Sequence, residues 1–244
     1  MSTRIAVVTG GGSGIGRATC TRLTADGFTL AVLDVDGEAA KVAAGPDGLG
    51  CAADVADLHA VDAAFAQVVA AFGRIDVLVN NAGVSGTVDA TICHETTVEE
   101  WDRVLAINTR GPFLCARAAL PVMLAQGDGH VITVASVAGQ VAFPGRCAYT
   151  ASKGAALMFA KSLAADYAAA GIRSNAVCPG FVRTPMTQWR LDVPELREQV
   201  EARIPTGRVA EPDDIADAIA VLASGRLSYM TGAALVVDGG WTVL

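Results

Sequence analysis

No apolar run in this chain approaches the roughly 18 residues that a bilayer span requires, although 52% of its residues are hydrophobic. Aromatic residues make up only 5% and charged residues 18%, so the core must be built mainly from aliphatic side chains. Histidine is scarce too: His59, His94 and His130 are widely spaced and read as cap or surface residues rather than catalysts or ligands. None of the six cysteines belongs to a CxxC pair or a Cys/His ligand spacing, and most fall in segments of core character. That pattern argues against a disulfide scaffold and against structural metal. Positive charge is in deficit, with a formal net charge of -7 and no Lys/Arg cluster, which disfavours nucleic acid as a partner. The opening MSTRIAVVTG enters an apolar run at once, without the regions of a signal peptide. A cytoplasmic protein acting on small molecules, with no membrane or nucleic-acid partner, is the expectation.

What is present is alternation. Short apolar runs at 5–9, 29–34, 50–54, 76–81, 130–136, 173–179 and 234–239 read as strands. Helical-period segments lie between them at 14–26, 37–44, 57–72, 98–126, 147–170 and 212–223. Thr97 and Glu100 have the spacing of a capping box at the start of the fourth helical segment, and Gly111-Pro112 is expected to interrupt it. Near-continuous apolar strands separated by helices describe a parallel sheet covered on both faces, since each parallel pair needs a crossover. The fold class is therefore α/β, a Rossmann-type doubly wound seven-stranded parallel sheet, with ligands at the carboxyl ends of the strands. No linker or repeat divides residues 1–244, so one domain is expected. Residues 184–214, charged and proline-rich, read as a mobile substrate lid within it.

The first strand-to-helix junction is TGGGSGIG, residues 9–16. Gly10, Gly14 and Gly16 allow a tight turn and close backbone approach, and the helix beginning around Ser13, Gly14 and Ile15 offers free amides and a positive dipole end to a pyrophosphate. Asp34 ends the second strand, where an acid can accept hydrogen bonds from an adenosine ribose and would repel a 2′-phosphate. NAD is thus expected over NADP, with Arg17 the one nearby cation. Asp54 and Val55, and Asn80, Asn81, Ala82 and Gly83, end the third and fourth strands on the same edge, placed to read the adenine and orient the ribose.

The same edge receives Ser136, at the end of the fifth strand, and Tyr149 and Lys153, one turn apart on the helix that follows. A lysine ammonium beside a phenol favours the phenolate, so a Tyr tuned downward can exchange a proton with an alcohol near neutral pH. Ser136 can donate to a developing alkoxide, and Asn108 can hold a water that anchors Lys153 in a proton relay.

Thr9-Gly10, Gly14, Gly16, Asp54, residues 80–83, Asn108, Ser136, Tyr149, Lys153 and Pro179-Gly180, taken in order and spacing, resemble the short-chain dehydrogenases/reductases over essentially the whole chain, down to VVDGGW near its end. The resemblance implies a catalytic tetrad of Asn108, Ser136, Tyr149 and Lys153, with Lys153 also on the nicotinamide ribose. It implies that Pro179, Gly180, Val182 and Thr184 lie along the nicotinamide, Val182 and Thr184 contacting its carboxamide, and that the chain forms a homotetramer. NADP-preferring 3-oxoacyl carrier-protein reductases of the family tend to carry Arg where this chain has Ser13.

Val137, Gln140, Val141 and Phe143 on one side, and Met186 and Trp189 in the lid on the other, are the expected substrate wall, suiting a modest hydrophobic ketone or secondary alcohol. The function expected is hydride transfer between NAD(H) and a secondary alcohol/ketone pair with Tyr149 as general acid/base. The alternatives are an NADPH-dependent 3-oxoacyl reductase and a non-catalytic dinucleotide-binding oligomer.

Overall fold

The computed structural model describes residues 3–87 and 92–243. Seven strands form one sheet: β1 (Arg4–Thr9), β2 (Phe28–Asp34), β3 (Leu49–Ala52), β4 (Val77–Asn80), β5 (Gly129–Val134), β6 (Ile172–Pro179) and β7 (Ala234–Val237). All pairings are parallel, and the order is β3-β2-β1-β4-β5-β6-β7. The direction of winding reverses between β1 and β4, which opens a crevice above that pair.

Around the sheet run α1 (Gly14–Ala25), α2 (Gly37–Ala44), α3 (Leu58–Phe72), α4 (Val98–Leu105), α5 (Gly111–Gln126), α6 (Cys147–Tyr167), α7 (Pro185–Leu191), α8 (Pro194–Glu201) and α9 (Pro212–Ala223). Alternate residues of each strand point to opposite faces, and two cores result. Val7, Leu33, Leu78 and Val131 pack with Val61, Phe65, Leu120 and Met123 on one side. On the other, Val8, Val32, Val79 and Ile132 pack with Leu23, Ile215, Ile219 and Leu222. Local chemistry sets the helix ends. The Asp57 carboxylate accepts the amides of His59 and Ala60 to start α3, and Gly73 ends it in the left-handed conformation, the residue type that adopts it without a Cβ penalty.

Several strands are shorter at their carboxyl ends than the apolar runs suggest. Residues 53–54, 81 and 135–136 have already left the sheet, and they turn into the crevice. The fourth helical segment is interrupted as expected, but by a π-helical turn, Ala106–Arg110, placed just before Gly111. Gly111 is itself helical; its small size serves packing, because a Cβ there would meet Val55 Cγ2 at 2.8 Å. Residues 184–214, read as a lid, contain α7 and α8, each opened by a proline at the position where a missing N–H costs nothing.

His130 corrects an expectation. It is buried at the start of β5, with Nδ1 3.2 Å from the Leu222 carbonyl and Nε2 2.9 Å from Asn175 Nδ2. Burial and the nearby Arg173 push its pKa down to about 3, so it is a neutral core histidine, with Nδ1 donating and Nε2 accepting. No described helix is long and apolar enough to cross a membrane.

Candidate active site

The crevice is a cleft of about 630 Å³ at the carboxyl edge of the sheet. Gly10, Ser13, Gly14, Ile15, Asp34, Asp54, Val55, Asn81, Ala82, Gly83, Ser136, Tyr149, Lys153, Pro179, Gly180, Val182 and Thr184 all line it. Gly16 and Asn108 stand behind the wall rather than in it. Of the expected substrate wall, Met186 and Trp189 line the cleft, whereas Val137, Gln140, Val141 and Phe143 do not. Val137 is buried in the turn that follows Ser136, Gln140 reaches Cys178 Sγ, Val141 is exposed, and Phe143 packs on Trp241. Their places are taken by Val84 and by residues 85–87.

The glycine loop is built for close approach. Gly10 has φ +63°, and a Cβ on it would stand 2.8 Å from Ala82 Cα; a Cβ on Gly16 would collide with the Gly10 carbonyl. The side chain of Ser13, at the N-cap of α1, makes no capping hydrogen bond. The first-turn amides of a twelve-residue helix are thereby left for an anion in the cleft. Asn81 has a different task from the adenine-reading one expected: its Nδ2 donates to the carbonyls of Thr9 and Gly10. Thr9 Oγ1 accepts the amides of Asn81 and Ala82. These bonds fasten the glycine loop to the end of β4. Asp34 Oδ2 accepts the Gly12 amide at 2.8 Å and Oδ1 accepts Asp36 N at 3.1 Å, which presents the carboxylate at the cleft edge. The cradle suits a dinucleotide: amides where a pyrophosphate would lie, a carboxylate where ribose hydroxyls would lie, and glycines where a Cβ would fill the space.

At the other end, Lys153 is buried and donates Nζ to the Val134 carbonyl at 2.9 Å. Burial lowers its pKa to about 8, against a small opposing contribution from Cys178. Tyr149 departs from expectation. Its pKa is raised, because burial outweighs the Ser136 hydrogen bond and the Arg146 charge that lower it. Lys153 Nζ lies 5.7 Å from the Tyr149 ring centroid, but its bond to Val134 directs it at the backbone. In the protein by itself, Ser136 and Arg146 are the groups that favour the phenolate.

Asn108 projects from the π turn, whose inserted residue redirects the side chain inward. Its Oδ1 accepts the Val84 amide and its Nδ2 donates to the Val84 carbonyl, both at 2.8 Å. Nδ2 also donates to Ser152 Oγ at 3.0 Å. The side chain is thus held by protein partners on both of its polar atoms. It pins the cleft wall at Val84 to the helix that carries Tyr149.

Two cations escaped the sequence reading. Arg146, at the N-cap of α6, donates Nη1 to the Thr87 carbonyl at 2.7 Å and lies 5.9 Å from the Trp189 ring. Its pKa is lowered by burial and by Arg190, with Glu100 and Tyr149 opposing. Arg190 Nε is buried without a hydrogen-bond partner. The signal available was an arginine three residues before Tyr149 and another directly after Trp189, but nothing in the sequence placed Arg146 over Trp189.

A cleft with a dinucleotide cradle at one end and a Ser, Tyr and Lys cluster at the other defines a nucleotide-dependent oxidoreductase. A family model described as Enoyl-(Acyl carrier protein) reductase matches residues 10–242, and the chain belongs to the short-chain dehydrogenase/reductase family. It is 52% identical over 248 residues to 2-(R)-hydroxypropyl-CoM dehydrogenase of Xanthobacter autotrophicus, covering 99% of both chains. It is 40% identical over 247 residues to cis-4-hydroxycyclohexanecarboxylate dehydrogenase of Sinomonas cyclohexanicum, covering 99% of this chain and 97% of that one. Among solved structures, a 3-ketoacyl-(acyl-carrier-protein) reductase from Brucella melitensis complexed with NADH superposes with a TM-score of 0.90 at 34% identity, covering 98% of each chain. The chain is an oxidoreductase of secondary alcohol/ketone pairs.

Proposed function

We propose that this enzyme is an NAD-dependent dehydrogenase for small secondary alcohols that carry an anionic tail, and for the matching ketones. The observation that carries the chemistry is the meeting of Ser136, Tyr149 and Lys153 in the cleft that also holds the glycine loop. NAD, when bound, supplies the hydride acceptor. In alcohol oxidation the Tyr149 phenolate takes the hydroxyl proton, while Ser136 donates a hydrogen bond to the same oxygen as the carbinol hydrogen leaves as hydride. In reduction the Tyr149 phenol returns that proton. Lys153 would hold the nicotinamide ribose.

Preference for NAD rests on Asp34 at the cleft edge and on the identity of the described cleft-lining cations: Arg103 and Lys153 line it, and no arginine stands beside Asp34. The anionic tail rests on Arg146, which stands over Trp189 at the rim of the cleft, and on Arg190, which lies over Phe181 with a buried unpaired Nε–H. The name of the Sinomonas relative includes a carboxylate, in keeping with this reading. Residues 184–214 act as the lid of a single domain in this proposal, since Met186 and Trp189 close one side of the cleft. A homotetramer belongs to the same reading, supported by exposed Phe113, Leu124 and Met158 on α5 and α6.

The test follows reduced-cofactor absorbance with NAD and NADP in parallel, over 2-(R)-hydroxypropyl-CoM, hydroxycarboxylates and neutral secondary alcohols of equal size. Turnover is expected with NAD and an anionic alcohol. In Tyr149→Phe it should fall by roughly 10² to 10⁴ with NADH binding retained. Equal kcat/KM for neutral and anionic alcohols would sink the tail assignment, and an active Tyr149→Phe would remove tyrosine from the proton step.

A further inference from the structure

We propose that Trp241 is a positioning residue: its indole is the strut through which the C-terminal turn holds both the lid helix α7 and the end of β6 in their places along the cleft. The inference rests on the lid reading above and adds the residue that seats the lid.

Trp241 is nearly buried and belongs to a cluster with Leu191, Val200, Ile204 and Val209 that is separate from the two sheet cores. Its ring stacks on Phe181 at 5.5 Å and 12°, and Phe181 stands between Gly180 and Val182, both in the cleft wall. Leu191 ends α7, whose Met186 and Trp189 line the cleft from the other side. One side chain therefore stacks on the residue between two cleft-lining positions and shares a core cluster with the end of α7. The Arg203 guanidinium covers the indole at 5.2 Å from its centroid, a cation–π contact that ties in the far end of the lid.

The strut is itself braced. Asp238 accepts Gly240 N at 2.9 Å, Thr242 N at 2.9 Å and Thr242 Oγ1 at 2.7 Å, closing the turn that carries Trp241. Gly239 and Gly240 have φ +64° and +90° and lie so close to the lid that added Cβ atoms would run into Thr206 and Pro205. The Gly239 carbonyl accepts Thr206 N at 3.1 Å. Lid and C-terminal turn are thus locked by backbone contact as well as by the indole. Removing the indole leaves a cavity under Phe181 and Leu191 that neighbouring side chains fill only in part.

The experiment compares wild type, Trp241→Ala, Trp241→Phe and Asp238→Asn in the full chain. It measures trypsin cleavage after Arg190, Arg197 and Arg203, NADH affinity by fluorescence, and alcohol KM against kcat. Trp241→Ala should raise lid cleavage, NADH Kd and alcohol KM by about tenfold each while kcat changes less, and Trp241→Phe should restore all three because a flat ring still stacks on Phe181. Asp238→Asn should move the same readouts in the same direction, and it carries the test if Trp241→Ala does not fold. Lid cleavage and NADH Kd at wild-type values in a folded Trp241→Ala, whatever its melting temperature, would overturn the proposal. Cleavage and NADH binding decide the matter even if no alcohol on the panel is turned over, so a wrong substrate reading shows separately.

Discussion

Ser136 favours the phenolate of Tyr149 and so works against the burial that raises the Tyr149 pKa. Alcohol oxidation needs the phenolate, so its kcat/KM should climb with pH towards the Tyr149 pKa, whereas ketone reduction, which needs the phenol, should decline. Ser136→Ala removes a group that favours the phenolate. Its oxidation profile should therefore move to higher pH, in addition to a loss of rate. Superimposable pH profiles for wild type and Ser136→Ala would separate Ser136 from the titration of Tyr149.

Asp34 presents its carboxylate at the cleft edge through bonds from Gly12 and Asp36. Asp34→Ser keeps a hydroxyl there but removes the charge that repels a 2′-phosphate and grips ribose hydroxyls. The ratio of kcat/KM for NAD over NADP should narrow by roughly one to two orders of magnitude, the worth of a charge-assisted hydrogen bond. An unchanged ratio would place discrimination elsewhere on the loop.

Arg190→Met preserves most of the side-chain volume and removes the guanidinium with its buried unpaired Nε–H. KM for an anionic secondary alcohol should rise by roughly 10- to 100-fold, one charged hydrogen bond, with KM for a neutral alcohol of equal size nearly unaltered. Parallel increases for both substrates would mean that Arg190 shapes the lid rather than reading charge.

Asn108 accepts one hydrogen bond from the Val84 amide and donates two, to the Val84 carbonyl and to Ser152 Oγ. Asn108→Asp reverses the donor needed at the Val84 carbonyl and at Ser152, and should lower kcat while leaving NADH affinity within about twofold, because the glycine loop is held by Asn81 instead. NADH affinity lost along with kcat would show that the Asn108 bonds also support the cofactor end.

His130 predicts an acid-sensitive fold. Its folded pKa, about 3, lies below the ordinary value near 6.5, so the neutral form is favoured in the folded state. That stabilisation is complete above pH 6.5 and is lost as pH falls from there towards 3, at up to ~1.4 kcal/mol per pH unit from this one group. Melting temperature measured from pH 7.5 to 5 should fall more steeply for wild type than for His130→Asn, whose amide does not titrate. Equal slopes would assign the acid sensitivity to other groups.

The strands, the order of the helices and the glycine loop were legible because each depends on neighbours in sequence: runs of apolar residues, period and spacing. Asp34, Ser136, Tyr149 and Lys153 could be assigned to one edge because parallel topology brings every strand's carboxyl end to the same side. The errors lie where contact partners are distant along the chain. His130 depends on Asn175 and Leu222. Phe143 was drawn away from the cleft by Trp241, nearly a hundred residues later.

The sequence by itself determined the fold class and the sheet edge to which Ser136, Tyr149 and Lys153 are brought, since periodicity and spacing are local properties. Tertiary structure alone decided the rest. It desolvated Tyr149 enough to raise its pKa, turned Lys153 towards the Val134 carbonyl, brought Arg190 near enough to lower the Arg146 pKa, and stacked Trp241 on Phe181. Those outcomes depend on which groups exclude water from one another, and desolvation and charge proximity exist only once the chain has brought remote residues together.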